Sequence, residues 1–359
     1  MHITGNARYL ECMEKLHSGF PHWEKLEGKT VFLSGASGMI GSFLVDAIML
    51  RNRELPFEKR THILGFVRNL EKAKARFVPW LGKRELILTL HDICNVLPPL
   101  TEVDYWIHAA STTHPIAYSS EPVNTIFSNV LGTKNILEKA AESRGRFLFL
   151  SSVEIYGENR GDTEYFAEED CGYIDCNTLR AGYPEAKRVS EAMCQAYSAQ
   201  FGVDTVILRL PRCYGPTMQM TDSKAVAQFI KKAVAGEDIV LKSEGKQLYS
   251  YAHVADAACG LLWVLLAGKS GEAYNLADEK SDITLKKLAE LTADCVGKNV
   301  VFDLPDEAEK RGFSKAQKAL LDGRKLESLG WQPAHSIQDG ISEPLKFCGN
   351  APMNEINVA

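Results

Sequence analysis

The pattern that most restricts the fold is an alternation of short apolar runs with longer helical segments through the first two-thirds of the chain. The apolar runs do not alternate with polar residues, which is typical of strands buried on both faces of a parallel sheet. This order predicts an α/β fold with a doubly wound parallel sheet. The predicted strands are Thr30–Ser34, His62–Val67, Glu85–Leu90, Tyr105–Ala110, Arg146–Ser152 and Asp204–Leu210, with helices near 39–50, 69–78, 120–142 and 181–200.

The last third of the chain is less regular and predicts a smaller lobe of mixed α/β structure. Residues 1–27 predict a helical extension that precedes the sheet. No repeat or low-complexity linker separates the parts, so we expect the lobe to pack directly on the sheet domain. Helices are predicted near 221–235, 252–267 and 284–296, with short strands at Glu272–Ala277 and Asn299–Leu304.

Composition excludes several function classes. The chain has 359 residues, 45% hydrophobic and 24% charged, as expected of a soluble globule with a sizeable core. A net charge of −5 gives no basis for binding nucleic acid. The longest apolar run, Leu261 to Ala267, is too short to cross a membrane. Nine dispersed cysteines without a CxxC pair predict reduced thiols in the cytoplasm and no metal site.

A glycine-rich loop, "SGASGMIGS", follows the first predicted strand and opens the first helix. Gly35 permits a tight turn, Gly38 lets a phosphate approach the backbone, and Gly41 lets helix and strand pack closely. The helix N-terminus offers free N–H groups and a positive dipole to a pyrophosphate. The loop therefore predicts a dinucleotide site, to which we also assign Ser37, Met39 and Ile40.

The end of the second strand bears on which dinucleotide binds. NAD sites usually have an acid there, whereas this chain has Arg68 followed by Asn69. An arginine suits the 2′-phosphate of NADP, although a solvated arginine at a strand end is an equal alternative. After the third strand, Asp92 and Ile93 are candidates to bracket the adenine, and Asp92 could equally cap a helix.

Tyr183 and Lys187 stand four residues apart in "AGYPEAKRVSE", so they share one face of a predicted helix. Such a pair alone is usually structural. Here it follows the strand that ends in Ser151 and Ser152, and parallel sheets bind ligands at the carboxyl ends of their strands. We therefore expect Ser152, Tyr183 and Lys187 to meet beside the dinucleotide.

Taken together, GxxGxxG, "HAAS", a Ser-x-x-x-Tyr-Gly stretch and YxxxK resemble the extended short-chain dehydrogenase/reductases. Downstream, "RLPRCYGP", "HVADAACGLLWVL", "GEAYNLA" and "KLESLGW" resemble the nucleotide-sugar enzymes of the NAD-dependent epimerase/dehydratase family. The segment "ASTTHPIAYSSEP" and the "YPEAKR" box are most similar to UDP-glucuronate decarboxylases.

The resemblance implies a Rossmann domain over 28–210 that binds NAD or NADP and a mainly substrate-binding lobe over 211–350, some segments of which return to the first domain. It implies a nucleoside-diphosphate sugar as substrate and a homodimer formed through helices that flank the sheet. Tyr183 would take a proton from a sugar hydroxyl, with its pKa lowered by Lys187 and the nicotinamide, while Ser152 would hydrogen-bond the same oxygen. It further assigns Ala109, Ala110, Ser111 and Asn129, with Tyr183 and Lys187, to the cofactor, and Thr113, His114, Tyr118, Ser152, Glu154, Arg212 and Tyr249 to the substrate.

Three departures from the family pattern bear on the second chemical step. Dehydratases have Asp-Glu after the catalytic hydroxyl, but this chain has Val153 and Glu154, which argues against 4,6-dehydration. Glu154 could act as a C–H base or hold a sugar hydroxyl. A family arginine aligns with Tyr249, and a family asparagine aligns with Arg212. We interpret this exchange as a relocated phosphate contact or an altered substrate, with a neutral surface change as the alternative. The exchange weakens the decarboxylase interpretation, which needs a cation for the carboxyl group.

Three functional hypotheses follow. The first is an isomerase or lyase that acts through a transient keto-sugar with no net redox change. The second is an NADPH-dependent reductase of a keto-sugar or another carbonyl compound, for which Arg68 is the main support. The third is a dinucleotide-sensing module without catalysis, which the intact set of Ser152, Tyr183 and Lys187 argues against.

Overall fold

The computed structural model of the chain describes residues 2–100, 102–111, 113, 118, 120–303 and 316–348. The strands are β1 Thr30–Ser34, β2 His62–Val67, β3 Leu86–Leu90, β4 Tyr105–His108, β5 Arg146–Ser152, β6 Thr205–Leu210, β7 Arg212–Tyr214, β8 Ile239–Leu241, β9 Leu248–His253, β10 Ala273–Asn275, β11 Asp282–Thr284, β12 Val300–Phe302 and β13 Lys318–Ala319. The α-helices are α1 Ala7–Gly19, α2 Met39–Asn52, α3 Leu70–Arg76, α4 Pro122–Ser143, α5 Gly182–Phe201, α6 Ala225–Val234, α7 Val254–Ala267, α8 Leu285–Asp294, α9 Arg324–Glu327 and α10 Ile337–Cys348.

The main sheet has seven strands in the order β3-β2-β1-β4-β5-β6-β10. All the pairs in it are parallel. The strand order reverses next to β1, which places a crevice at the carboxyl ends of β1 and β4. The structure thus confirms the predicted doubly wound sheet, and it adds β10 from the last third of the chain as an edge strand.

The strands are almost wholly apolar because both faces of the sheet are covered. On one face α2 and α7 pack together and α1 packs on α7; on the other face α4 packs along α5. Successive β1 residues alternate between the two cores, since Val31 and Leu33 join the first and Phe32 joins the second.

The N-terminal segment is held to this domain by a buried polar network. The hydroxyl of Tyr9 on α1 donates to Asp46 of α2 at 2.6 Å, and the indole N–H of Trp80 donates to the other oxygen of Asp46 at 2.6 Å. Arg76 also forms an ion pair with Asp46. Removing one partner of such a buried pair is strongly destabilising, so α1 is an integral part of the fold.

The second part of the chain builds a smaller lobe with its own core. Strand β9 pairs with β7, β11 and β13, and β8 pairs with β12. Helices α6, α8 and α10 bury apolar faces in this lobe. Within the described residues, no helix combines the length and apolarity needed to span a bilayer.

Predicted and observed element bounds differ mainly at strand ends. The fourth strand was expected to reach Ala110 but ends at His108. The reason is local: the N–H of Ala110 donates to the side chain of Ser34 at 3.2 Å, so a side chain replaces the ladder partner and the backbone leaves the sheet.

Candidate active site

The glycine loop between β1 and α2 is shaped by close backbone contacts. Gly35 has φ of +71°, and a Cβ there would lie 2.8 Å from backbone atoms of Ala110. A Cβ at Gly41 would lie 2.3 Å from the Gly35 oxygen, whereas one at Gly38 would meet that oxygen at 3.1 Å. The fold therefore requires Gly35 and Gly41 more strictly than Gly38, whose missing side chain opens the loop to the cleft.

The N-terminus of α2 suits an anionic group. The helix begins after Gly38, and its first turn contains no acidic residue. Gly38, Met39 and Ile40 line the cleft, where first-turn N–H groups and the helix dipole favour a phosphate. This open cradle fits the pyrophosphate of a dinucleotide.

The cleft has a volume of about 1850 Å³ and runs from the glycine loop into the smaller lobe. This is larger than a typical pocket for one small ligand, so it can hold a dinucleotide together with a second ligand. It is lined by these predicted site residues: Gly35, Ser37, Gly38, Met39, Ile40, Gly41, Arg68, Asp92, Ile93, Ala109, Ala110, Ser111, Thr113, Tyr118, Ser152, Glu154, Tyr183, Lys187, Arg212 and Tyr249.

Two predicted site residues are not placed on the wall of the cleft. His114 lies outside the described residues. Asn129 is fully buried on α4, where its side chain accepts a hydrogen bond from Ser111 at 3.0 Å and donates to the carbonyl of Thr125 at 2.8 Å. Asn129 thus contacts the wall from behind and orients Ser111.

At the adenosine end, Arg68 is exposed at the tip of β2 and lines the cleft. The Asp92 carboxylate accepts the N–H of Cys94 at 2.9 Å and so stabilises the turn after β3. The carbonyl of Ile93 accepts a hydrogen bond from Asn135 at 2.8 Å, which fixes that turn to α4. Asp92 therefore has a local turn-forming role as well as its place on the wall.

The predicted tyrosine and lysine lie on the first turns of α5 beside the end of β5. Lys187 donates from Nζ to the carbonyl of Leu150 at 2.6 Å, and Nζ lies 5.9 Å from the centre of the Tyr183 ring. The Tyr183 ring stacks on Tyr118, with ring centres 4.9 Å apart. Both Tyr183 and Lys187 are buried, and Ser152 lies across from them at the cleft.

Burial perturbs both titrating groups of this pair. It lowers the pKa of the Lys187 ammonium to about 7, and Glu191 opposes that shift. The pKa of the Tyr183 phenol is shifted in the direction opposite to the expected lowering: burial raises it, and a hydrogen bond with Ser152 only partly opposes that rise. Strongly shifted pKa values in a cleft are typical of sites where protons are moved.

Glu154 forms ion pairs with two arginines, one of which the sequence reasoning missed. Its carboxylate lies 2.8 Å from Nη2 of Arg180 and 3.5 Å from Nη2 of Arg212. The guanidinium carbon of Arg212 lies 3.5 Å from the ring centre of Tyr249. Arg180 stands three residues before Tyr183, one helical turn away, and that spacing is the signal by which it could have been found.

A segment after β7 folds over the glycine loop and was also missed. The side chain of Thr217 donates to the carbonyl of Met39 at 2.8 Å, and Gln219 donates to the carbonyl of Ser37 at 3.1 Å. Nζ of Lys224 donates to Thr113 at 3.3 Å. The first two contacts join this segment to the glycine loop, the third joins it to the segment after β4, and all three span more than 100 residues, so no local pattern predicts them.

Val153 is almost fully buried and packs in the core of the smaller lobe with Ile155 and Tyr156. The position that carries an acid in the dehydratases is thus an apolar wall next to Glu154. The aliphatic side chain of Val153 has no proton that it could donate to a leaving hydroxyl.

The doubly wound sheet and its glycine loop define an α/β enzyme of the dinucleotide-binding class. Residues 31–277, more than half of the chain, match the NAD dependent epimerase/dehydratase family. The protein belongs to that family. This confirms the resemblance inferred from the motifs, and with it the predictions of an enzyme and of NAD or NADP as cofactor, without deciding between the two.

Its curated relatives include UDP-glucuronic acid decarboxylase 3 of Arabidopsis thaliana, which is 31% identical over 333 residues that cover 90% of this chain and 91% of the relative. UDP-glucuronic acid decarboxylase 1 of Xenopus tropicalis is 30% identical over 320 residues, which cover 89% of this chain and 72% of the relative. Among solved structures, UDP-glucuronic acid 4-epimerase from Bacillus cereus, in complex with UDP-glucuronic acid and NAD, has a TM-score of 0.74 at 18% identity and covers 89% of this chain and 98% of its own. That structural likeness shows the fold.

Gly38→Val should abolish dinucleotide binding while the protein stays folded, because the valine side chain would enter the cradle at the N-terminus of α2. Titration with NAD(H) and NADP(H) measures the loss. Gly41→Ala is the matched control: its Cβ would overlap the Gly35 oxygen, so it should lower the melting temperature. A folded Gly38→Val protein that binds like wild type would place the dinucleotide elsewhere.

Lys187 should make the stability rise with pH above neutrality. Its pKa is about 7 in the native state and about 10.4 in an unfolded chain, so between these values the unfolded chain binds more protons. The free energy of unfolding should gain up to about 1.4 kcal/mol per pH unit in this window, and nothing from Lys187 below it. Urea unfolding at pH 7 and 9 should show that Lys187→Met loses this slope, whereas Lys287→Met on the exposed face of α8 keeps it.

Proposed function

We propose that the protein converts a nucleoside-diphosphate sugar through a transient keto-sugar and returns the hydride before product release, with no net redox change. The observation that carries this proposal is the convergence of Ser152, Tyr183 and Lys187 at the wall of the cleft that contains the glycine loop. Family membership supports it, because the family is one of epimerases and dehydratases.

In this proposal Tyr183 takes the proton from a sugar hydroxyl whose oxygen is hydrogen-bonded by Ser152. The phenolate that forms is stabilised by the nearby Lys187 ammonium, since opposite charges favour the ionised phenol. Leu150 holds the ammonium in place through its carbonyl. The bound dinucleotide supplies a hydride acceptor that can give the hydride back. Burial of Tyr183 and Lys187 keeps water away from this proton transfer.

The finer proposal is a nucleotide uronate as substrate and decarboxylation as the second step. A ketone at C4 is β to the C5 carboxylate, so the C5–C6 bond can break with its electron pair delocalised onto the ketone oxygen. Carbon dioxide leaves, C5 takes a proton, and the hydride returns to C4. The relatives named UDP-glucuronic acid decarboxylases support this choice, and Arg212 on the cleft wall offers a cation for the carboxyl group.

A second candidate, an NADPH-dependent reductase, is favoured by one observation. Arg68 lies exposed on the cleft wall at the end of β2, where a 2′-phosphate would bind. The two functions differ in stoichiometry. A reductase consumes one NADPH for each carbonyl reduced, whereas the first function leaves the total of reduced cofactor unchanged.

We also propose a homodimer that forms through α4. Four apolar residues of this helix form an exposed stripe: Val123, Ile126, Phe127 and Leu131. Residues three and four apart share one helix face, so the four side chains make a continuous apolar surface.

We place the protein in the cytoplasm, supported by free thiols on the eight cysteines whose side chains the structure describes.

Turnover of UDP-glucuronate by the purified protein should release carbon dioxide without drift of absorbance at 340 nm. Tyr183→Phe removes the proton acceptor and should lower kcat by ~10²–10⁴-fold. Products are followed by mass spectrometry and proton NMR on a panel of UDP-, dTDP-, CDP- and GDP-sugars. Stoichiometric loss of NADPH with a carbonyl substrate would establish the reductase instead.

Phe127→Glu should convert the dimer to a monomer, because it places a charge in the centre of the apolar stripe. Sedimentation equilibrium measures the mass. Phe302→Glu is the matched control, since Phe302 on β12 is 52% exposed, close to the 48% of Phe127, and lies in the other lobe. A wild-type monomer, or a dimer that survives Phe127→Glu, would contradict the proposed interface.

A further inference from the structure

Three charged side chains meet at the catalytic end of the cleft. Glu154 follows β5, Arg180 precedes α5, and Arg212 lies on β7. The carboxylate of Glu154 lies between the two guanidinium groups, 2.8 Å from one and 3.5 Å from the other. Because one carboxylate faces two guanidinium groups, this cluster presents a net positive charge to a ligand in the cleft.

Arg212 is held in place by the aromatic ring of Tyr249. It pairs with Tyr251 in the parallel register of β7 and β9, and Tyr249 lies two residues earlier on the same face of β9. Its guanidinium carbon is 3.5 Å from the Tyr249 ring centre, a cation–π distance. The Tyr249 hydroxyl donates to the carbonyl of Ala316 at 2.7 Å, which fixes the ring. The ring thus fixes the guanidinium group of Arg212 at this wall of the cleft.

Both arginines retain unused donors. Nη1 of Arg180 and Nη1 of Arg212 are shielded from solvent and have no hydrogen-bond partner among the residues that the structure describes. Both side chains line the cleft. Buried guanidinium N–H groups are normally satisfied, and an anion with two acceptor oxygens would satisfy them here.

The position of the cluster indicates which anion it can bind. The Arg180 guanidinium carbon lies 5.6 Å from the Tyr118 ring centre, and Tyr118 stacks on Tyr183. The N–H of Glu154 donates to Ser152 at 3.3 Å. The cluster therefore borders the groups that would hold the C4 oxygen. A uronate carries its carboxylate on C5, next to C4, whereas the diphosphate is attached to C1 across the ring.

We propose that Arg180 and Arg212 bind the carboxylate of a nucleotide uronate and that Glu154 is a positioning residue that holds the two guanidinium groups. This inference rests on the proposed function and assigns its substrate specificity to two residues. A planar guanidinium matches the two oxygens of a carboxylate. A hexose with a hydroxymethyl group would leave these donors unsatisfied, so the pair selects against it.

The charge of Glu154 also serves the second step. Decarboxylation converts a bound anion into neutral carbon dioxide, and two arginines without a counter-charge would stabilise the anion and slow its loss. Glu154 lowers the net charge of the cluster from +2 to +1. A residue in this role affects binding and turnover in opposite directions, which a general base does not.

The first test measures binding to holoenzyme that carries Tyr183→Phe, so that no turnover occurs. Calorimetry compares UDP-glucuronate with UDP-glucose, which share the nucleotide and the diphosphate. Arg212→Gln, and separately Arg180→Gln, should weaken UDP-glucuronate binding by about 10- to 100-fold and leave UDP-glucose unchanged. Arg160→Gln, an exposed arginine outside the cluster, should change neither. Equal losses for both ligands would assign the arginines to the diphosphate, and no loss would remove them from the site; either result overturns the proposal.

A double substitution tests the position of the cation directly. Arg212→Asn with Tyr249→Arg moves the cation from β7 to the neighbouring strand β9 and should restore the preference for UDP-glucuronate that Arg212→Asn alone abolishes. If the folded double variant binds both ligands alike, a cation at this place does not select the carboxylate. The binding preference needs no turnover, so it can hold even if the proposed reaction fails, and the two failures are distinguishable.

Steady-state kinetics test the part assigned to Glu154. Glu154→Gln keeps an acceptor for the arginines but raises the net charge of the cluster. The substrate should therefore bind more tightly and lose its carboxylate more slowly, so both KM and kcat for UDP-glucuronate should fall several-fold. A loss of kcat with KM unchanged would identify Glu154 as the base that acts on the sugar and would overturn the positioning role.

Discussion

The hydrogen bond from Nζ of Lys187 to the carbonyl of Leu150 is the interaction on which the geometry of the site depends. At 2.6 Å it ties the first turns of α5 to the end of β5, and it gives a partner to an amino group that the fold removes from solvent. Because Leu150 directly precedes Ser151 and Ser152 at the end of β5, this hydrogen bond sets the distance between α5 and β5. It thereby brings Tyr183 to the same wall of the cleft as Ser152.

Charge balance around Glu154 is a property of the site that the motifs did not predict. The resemblance on short motifs implied an arginine lost at 249 and another gained at 212, and by itself this argued against a carboxylate-binding enzyme. The structure stacks the two side chains, so the change preserves a cation at nearly the same place. Glu154 and Arg180 complete a cluster whose members a motif search treats separately.

Regular elements were predictable because their signals are local. The bounds of β1, β2 and β5 agree with the predicted ones, since each strand is a short apolar run that ends at a polar residue or a glycine turn. The glycine loop and the Tyr183–Lys187 spacing were also readable, because each lies within a few residues. Asn129 was assigned to the cofactor, but its amide is used inside the domain to hold Ser111 and Thr125, and no local pattern distinguishes those two uses.

The sequence alone therefore determined the class of fold, the glycine loop and the spacing of Tyr183 and Lys187, because hydrophobic periodicity, glycine spacing and one helical turn all act over short stretches of chain. Tertiary structure alone decided the electrostatics of the site. Arg180 and Arg212 reach Glu154 from segments 26 and 58 residues away, and Thr217 and Gln219 close over a loop formed some 180 residues earlier. Contacts between distant segments depend on how the lobe packs on the sheet, and that packing is set by the whole core.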